Sequence, residues 1–276
     1  MAKNISKRSK VSQKTESQIR CVTFNLKGLS ADWFGQRMDA AVEGLLAVNP
    51  DVVCLQEATV RYLPDAYDQA SELGKRIGLP YVAFCPYGNP IEIMSFEQGG
   101  VATLSRWPFQ SVRFRRLPPG HEQPFDSRVA LITTLALLNE PVHIVNTHLS
   151  WRPEESYIRL VQGGLILDVL MKLGYLAKGS RTILAGDFNS IEKEPCIQHS
   201  LEYLKDAYRE RNKEDLGHTV SGANPLTADW DFPDRRLDYI FCSKDAKVKA
   251  AKVILDEPSP VYPSDHFGVM VDLDWN

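Results

Sequence analysis

RVALITTLALLNEPVHIVNTHLSWRPEESYIRLVQGGLILDVLMKL, residues 128–173, holds the pattern on which the fold turns. Two apolar strand-like runs, Arg128 to Leu138 and Val142 to Leu149, follow one another with only a short turn between them. The period then changes. Ile158, Val161, Leu165, Val169 and Leu173 recur at spacings of three and four, which predicts a helix from Glu154 to about Leu176 packed on a sheet face. Consecutive strands with a helix laid outside them are the unit to look for elsewhere in the chain.

Toward the N-terminus the unit recurs. Ile19 to Leu26 is β-rich, and Trp33 to Val48 is helical, with Phe34, Met38, Ala41, Val42, Leu45 and Leu46 on one face before Pro50 stops it. Asp51 to Leu55 reads as a buried strand, and Pro64 opens a second helical stretch ending near Gly78. Strands follow at Tyr81 to Phe84, Gly100 to Leu104 and Val112 to Leu117. Toward the C-terminus come a strand at Thr182 to Ala185, a helix around Leu201 to Arg209 and a long polar loop from Asn212 to Asp234. Strands at Leu237 to Cys242, Lys247 to Leu255 and Phe267 to Asp272 close the chain. The expected architecture is α/β of the α+β kind: two packed, mostly antiparallel sheets flanked by helices, not a doubly wound parallel sheet.

With 276 residues, 43% of them hydrophobic and 24% charged, the chain can bury a two-layer core. A net charge of -3 gives no global basic field, which leans against indiscriminate nucleic-acid binding but leaves room for a local basic groove. The five cysteines lack any CxxC pair and sit mostly in strand-like runs, the pattern of reduced core thiols in a cytoplasmic protein. Residues 1–18 carry Lys3, Lys7, Arg8, Lys10 and Lys14 without an apolar stretch, and read as a flexible basic tail before a domain spanning 19–276. No segment has the roughly 18 apolar residues of a transmembrane span.

Chemistry-bearing residues gather where apolar runs end. VTFNL carries Asn25, VVCLQE ends on Glu57, HIVNTHL carries Asn146 and His148, and TILAGDFN carries Asp187 and Asn189. RLDYIF contains Asp238, and SDHFGV opens with Asp265 and His266. Each alone has a plainer reading: a turn at Asn25, a cap at Glu57, a hydrogen-bonded strand-end histidine, an Asx turn at Asp187, an ion pair of Asp238 with Arg235 or Arg236. Together, four carboxylates, three asparagines and two histidines at the ends of apolar strands would be a costly coincidence in a core. Oxygen donors of this kind suit a hard cation, Mg²⁺ or Mn²⁺, and there is no Cys/His cluster for a structural zinc.

TFNL, LQE, GVATLSRWP, NTHL, AGDFN, RRLDYIF and SDHFGV, in this order from Ile19 to Asp272, resemble the motifs of the endonuclease/exonuclease/phosphatase (deoxyribonuclease I-like) superfamily. The resemblance implies a four-layer αββα sandwich and a divalent-metal-dependent phosphoesterase that attacks phosphorus in line with water. By similarity Glu57 is the principal metal ligand with Asn25 and Asp265 nearby, and Asp187 and Asn189 position water and phosphate. His266, oriented by Asp238, acts as base or phosphate contact, His148 serves the leaving side, and Arg128 resembles the family's phosphate-facing arginine. Lys27 stands where abasic endonucleases carry an acidic residue, and PDRRLDYIF replaces the inositol phosphatase signature.

The substrate is a phosphate ester, with nucleic acid and phospholipid as the candidate partners. Arg113, Arg115, Arg116, Arg152, Arg235 and Arg236 either line a basic cleft for a nuclease or are solvated strand faces. GHTVSGANPLTADWDFPDRRLDYIF has an order also seen in neutral sphingomyelinases, and Trp107, Trp151 and Trp230 offer rings for bases or a membrane interface. A catalytically idle binding module is the non-enzyme alternative.

Overall fold

The computed structural model describes residues 18–28, 34–63, 65–88, 97–120, 127–137, 140–227 and 233–276; the basic tail before Gln18, Pro64 and Trp230 lie outside the described residues. The elements begin with β1 (Gln18–Asn25), α1 (Phe34–Val48), β2 (Val52–Arg61), β3 (Tyr67–Asp68), α2 (Gln69–Ile77), β4 (Tyr81–Pro86) and β5 (Glu97–Ser105). They continue with β6 (Phe109–Arg116), β7 (Val129–Leu137), β8 (Glu140–His148), α3 (Ser156–Lys172) and β9 (Arg181–Asp187). The last third holds α4 (Pro195–Tyr203), β10 (Leu204–Asp206), α5 (Ala207–Arg211), β11 (Asp238–Ser243), β12 (Lys247–Ile254) and β13 (Gly268–Asp274).

One sheet runs β12-β13-β1-β2-β5-β4, with β3 on β2; the other runs β10-β11-β9-β8-β7-β6. Both are mostly antiparallel, as expected, with one parallel pair each: β1 on β2 and β8 on β9. Inward side chains of the two sheets, such as Cys21, Cys54, Ile144, Ile183 and Val271, fill the space between them. Met38, Leu45 and Leu73 bind α1 and α2 to the outer face of the first sheet, and Ile166, Leu170 and Ile197 bind α3 and α4 to the second. Four layers result, and burial of each such side chain contributes about 1.5–3 kcal/mol before entropy is counted. The five cysteines are free and buried, and among the described residues no helix is long and apolar enough to cross a membrane.

Four expectations are corrected. The stretch expected as one helix over Leu201 to Arg209 is broken, because Leu204–Asp206 extends to pair with β11 and Asp206 accepts hydrogen bonds from the Tyr208 and Arg209 amides to start α5. Leu46 is 52% exposed at the margin of the α1 face. The apolar stripe read on α3 is only partly covered, and its buried line is Arg159, Gln162, Ile166 and Leu170. Two polar side chains hold that line because they reach the turns at the end of the sheet. The second helix also begins late, at Gln69, where the Asp68 carboxylate caps the Ser71 amide.

His143 of β8 stacks on Tyr175 at a centroid distance of 3.4 Å, and burial lowers its pKa to about 4. In the unfolded chain it titrates near 6.5, so from about pH 6.5 down to 4 the unfolded state takes up a proton that the folded state refuses, and stability falls with pH. His143→Phe keeps the stacked ring and removes this step. The variant is expected to escape about 1–2 kcal/mol of the wild type's acid destabilisation, after allowing for solvent screening near the surface. Urea melts at pH 7 and pH 4.5 test it; equal losses in both proteins would show that His143 is not responsible.

Candidate active site

The pairing register places the candidates. Asp187 lies opposite His148 on β8 and opposite Asp238 on β11, so three chemically active side chains share one level across adjacent strands. Gly186 makes this possible: its φ is +151°, and a Cβ there would lie 2.0 Å from the Thr147 carbonyl oxygen. In the other sheet, Asn25 ends β1 beside Gln56, and Glu57 falls in a register shift of β2 between Leu55 and Ala58. Lys27, Glu57 and Asn189 all adopt positive φ, at 57°, 53° and 48°, a left-handed backbone that costs a non-glycine residue about 1–3 kcal/mol. Two others, Asn49 and Leu255, lie elsewhere, so this strain is concentrated where the strand ends must turn their side chains inward.

Glu57, His148, Asp187, Asn189, Asp265 and His266 line one cavity of about 450 Å³. Asn25, Asp238 and Arg128 stand behind that lining and touch it. Asp187 Oδ2 is the hub: Asn25 Nδ2 donates to it at 3.0 Å, His148 Nε2 lies at 3.4 Å and His266 Nε2 at 3.7 Å. Asp187 Oδ1 accepts from the Asn189 amide, and Asn189 Nδ2 donates to the Leu149 carbonyl. Asn25 Nδ2 also reaches Glu57 Oε1 at 3.2 Å, while its oxygen accepts from the Lys27 amide. Asn146, the remaining strand-end candidate, instead bridges the sheets through Gln56 and the Leu55 and Ala102 carbonyls.

Charge is arranged unequally. Burial, reinforced by nearby Asp238, raises the Asp187 carboxyl to about 7. Burial would lower His266, but Asp238 at 2.8 Å from Nδ1, together with Asp187, holds it well above the usual imidazole value. Thr219 Oγ1 donates to the same Asp238 oxygen, whose mate Oδ1 has no hydrogen-bond partner among the described residues. His148 is pushed the other way, by burial and then by Arg128 and His266. A guanidinium can only donate, so Arg128 Nη1 at 3.4 Å makes His148 Nδ1 an acceptor. Tyr87 O–H donates to that nitrogen at 2.8 Å and accepts the Glu57 amide, leaving His148 Nε2–H turned toward Asp187.

Sequence reasoning did not assign roles to Lys27, Tyr87 or Thr219. Lys27 Nζ lies 2.6 Å from Asp265 Oδ2. Tyr87 follows an apolar run in the same manner as the other candidates, a signal that could have pointed to it. The cavity is closed on one side by two turns that Arg159 ties together. Its guanidinium, only 1% exposed, donates to the Ser150, Arg152 and Pro153 carbonyls, to Ser190 and to Glu194. Trp151 and Ile191 on these turns face the cavity. Arg159→Met leaves Glu194 and three carbonyls without their donor and is expected to cost about 3–5 kcal/mol. Urea denaturation measures this, and a loss below 1 kcal/mol would mean the turns stand without the clamp.

Of the six arginines proposed for a basic cleft, Arg235 lines the cavity. Arg236 is structural, paired with Asp206 at 2.5 Å and stacked 4.4 Å over Tyr239. Arg152 lies over the half-exposed Trp151 ring, and Trp107 packs against the intersheet core.

Comparison with known proteins identifies the family. The model of the Endonuclease/Exonuclease/phosphatase family matches residues 22–266. A probable CCR4-Not complex 3'-5'-exoribonuclease subunit Ccr4 from Enterocytozoon bieneusi is 24% identical over 83% of the chain and 56% of its own length. Human Nocturnin is 26% identical over 86% and 57%. The chain thus spans little more than half the length of these curated relatives. Among solved structures, an endonuclease/exonuclease/phosphatase from Beutenbergia cavernae has a TM-score of 0.71 at 25% identity, covering 94% of this chain and 72% of that one.

Proposed function

Since the chain belongs to the endonuclease/exonuclease/phosphatase family, we propose that it is a divalent-metal-dependent hydrolase of phosphodiester bonds, with its catalytic domain at 19–276. The observation that carries this reading is the convergence of six strand-end and turn residues on one cavity around the Asp187 carboxylate. The curated relatives named exoribonuclease and 2',5'-phosphodiesterase favour a nucleotide-containing substrate over a lipid. Five buried thiols fit a reducing, cytoplasmic setting.

The donor set fits a hard cation. Glu57 and Asp265 offer carboxylate oxygens on the cavity wall, and a cation bound to Asp265 would share it with the Lys27 ammonium. Glu57 and Asp265 would hold Mg²⁺ or Mn²⁺, with Asn25 orienting the Glu57 carboxylate. The ion, when bound, would neutralise charge developing on the phosphoryl oxygens.

The protein's own residues supply the rest. Asp187, near the pH at which it both holds and releases a proton, takes one from the attacking water, with Asn189 fixing the carboxylate that does so. His266, cationic through Asp238, meets a phosphoryl oxygen with Nε2–H. His148, neutral and with Nδ1 occupied by Tyr87, presents Nε2–H to the leaving oxygen, and Arg128 keeps that tautomer in place.

Hydrolysis of bis(p-nitrophenyl) phosphate, a short RNA, plasmid DNA and sphingomyelin, with Mg²⁺, with Mn²⁺ and with EDTA, tests the proposal. Turnover is expected only with metal, to favour a nucleic acid over sphingomyelin, and to fall at least 10³-fold in His266→Ala. Wild-type rates in the variant, or rates indifferent to EDTA, would overturn it.

A further inference from the structure

Among the described residues the strand β6 forms the free edge of the second sheet and carries VRFRR, residues 112–116. It pairs with β7 on one side only, with Arg113 opposite Ile132, Phe114 opposite Leu131 and Arg115 opposite Ala130. Leu131 faces the neighbouring sheet, whereas Ala130 and Ile132 pack toward α3. Alternation therefore puts Arg113 and Arg115 on the outer face and Val112 and Phe114 on the other. All four are exposed, Val112 at 51% and Phe114 at 59%. Among the described residues neither Arg113 nor Arg115 has an acidic partner, unlike Arg76, Arg106 and Arg209, which do.

Charges on an edge strand are a common defence against edge-to-edge aggregation, and that accounts for two arginines. It does not account for a large aromatic ring left 59% exposed on the opposite face of the same edge. Arg116 bends back over Phe114, 5.3 Å from the ring centroid, while its Nη1 donates to the Pro86 carbonyl beside Tyr87. The C-terminal end of the strip lies at the active-site end of the sheet: Arg116 pairs with Val129, the neighbour of Arg128, whose Nη1 reaches His148 on the cavity wall. From Arg116 back to Arg113 the strand advances about 10 Å away from that end.

Resting on the reading of the cavity as a phosphodiesterase site, we propose that β6 is a binding strip for a single-stranded nucleic acid, in which Arg113 and Arg115 contact phosphates beyond the scissile one and Phe114 stacks a base. Alternating cations on a rigid strand, repeating about every 7 Å, match a polyanion with a regular repeat, and every base offers a face for Phe114. The strip gives affinity for length without sequence preference. A small diester cannot reach it.

The test compares wild type with Arg113→Thr/Arg115→Thr and with Phe114→Thr, substitutions that keep a β-branched residue on an exposed strand. Substrates are bis(p-nitrophenyl) phosphate, a 4-nucleotide and a 20-nucleotide single-stranded RNA, and binding of the 20-mer is followed by fluorescence anisotropy from 50 to 300 mM KCl. Expected for the double variant are diester and 4-mer kinetics within twofold of wild type, about tenfold weaker 20-mer binding, and a log-log salt slope smaller by about 1.4. Phe114→Thr is expected to weaken the 20-mer several-fold with an unchanged salt slope. Equal losses on the small diester, or an unaltered 20-mer, would overturn the strip. So would a wild-type protein that turns over the diester but does not bind the 20-mer, an outcome that leaves the phosphodiesterase reading standing. Conversely, 20-mer binding without turnover of any ester would sustain the strip and sink that reading. Strip-dependent binding to phosphatidylserine vesicles or strip-dependent dimerisation, without 20-mer binding, would assign the edge to a membrane or a second copy instead.

Discussion

Asp187→Asn is expected to lower kcat on a phosphodiester by about 10³- to 10⁴-fold with the fold retained. Among the described residues the carboxylate is the group that meets Asn25, His148 and His266 together, and burial raises its pKa to about 7, which fits the proposed role of proton acceptor. An amide has a single acceptor oxygen. It must choose between the Asn189 amide at Oδ1 and the Asn25 amide at Oδ2, so one donor faces another donor, at a cost of about 1–3 kcal/mol. Removing a desolvated charge from the bottom of the cavity offsets part of that cost, which is why the variant stays folded. Steady-state rates with a urea melt on the same preparation decide the matter. A rate within tenfold of wild type would move the proton acceptor elsewhere.

The second large effect concerns Glu57. Glu57→Gln keeps the shape and an oxygen for Asn25 Nδ2 but removes a full negative charge from the proposed cation site. The half-saturating Mg²⁺ concentration is expected to rise about 10²-fold or more, and kcat/KM at fixed metal to fall accordingly. Calorimetric titration of Mg²⁺ reads binding apart from turnover. An unchanged requirement would relocate the cation to Asp187, Asp238 and His266, whose candidate ligand atoms lie within 4.8 Å of one another.

Much of this was legible in the chain because polar residues at the ends of apolar strands are costly unless they do something there. Asn25, Glu57, His148, Asp187, Asp238 and His266 were all marked that way, and register alone brings Asp187 between His148 and Asp238. What the residue pattern did not reveal has a common physical cause. Lys27 and Tyr87 follow strands, Thr219 lies in a long loop, and loops carry no period against which an odd residue stands out. The α3 stripe was misread because Arg159 and Gln162 are buried through hydrogen bonds to turns far along the sequence, which an apolar periodicity discounts. The break at Leu204 is a tertiary effect: an exposed edge of β11 captures three residues that local preference assigns to a helix.

The pairing of β1 with β13 sets a condition on how the protein comes into being. Arg20 and Asp272 meet across that pair although they are 252 residues apart, and β13 is flanked by β12 on its other side. During synthesis the first strand therefore waits with one edge unsatisfied until β13 has been made, an open template for wrong partners. Asp265 and His266 arrive on the segment just before the strand that closes this gap. On the proposed reading, hydrolytic competence waits for the segment that brings Asp265 and His266, so a chain truncated before them is expected to be inert toward phosphate esters.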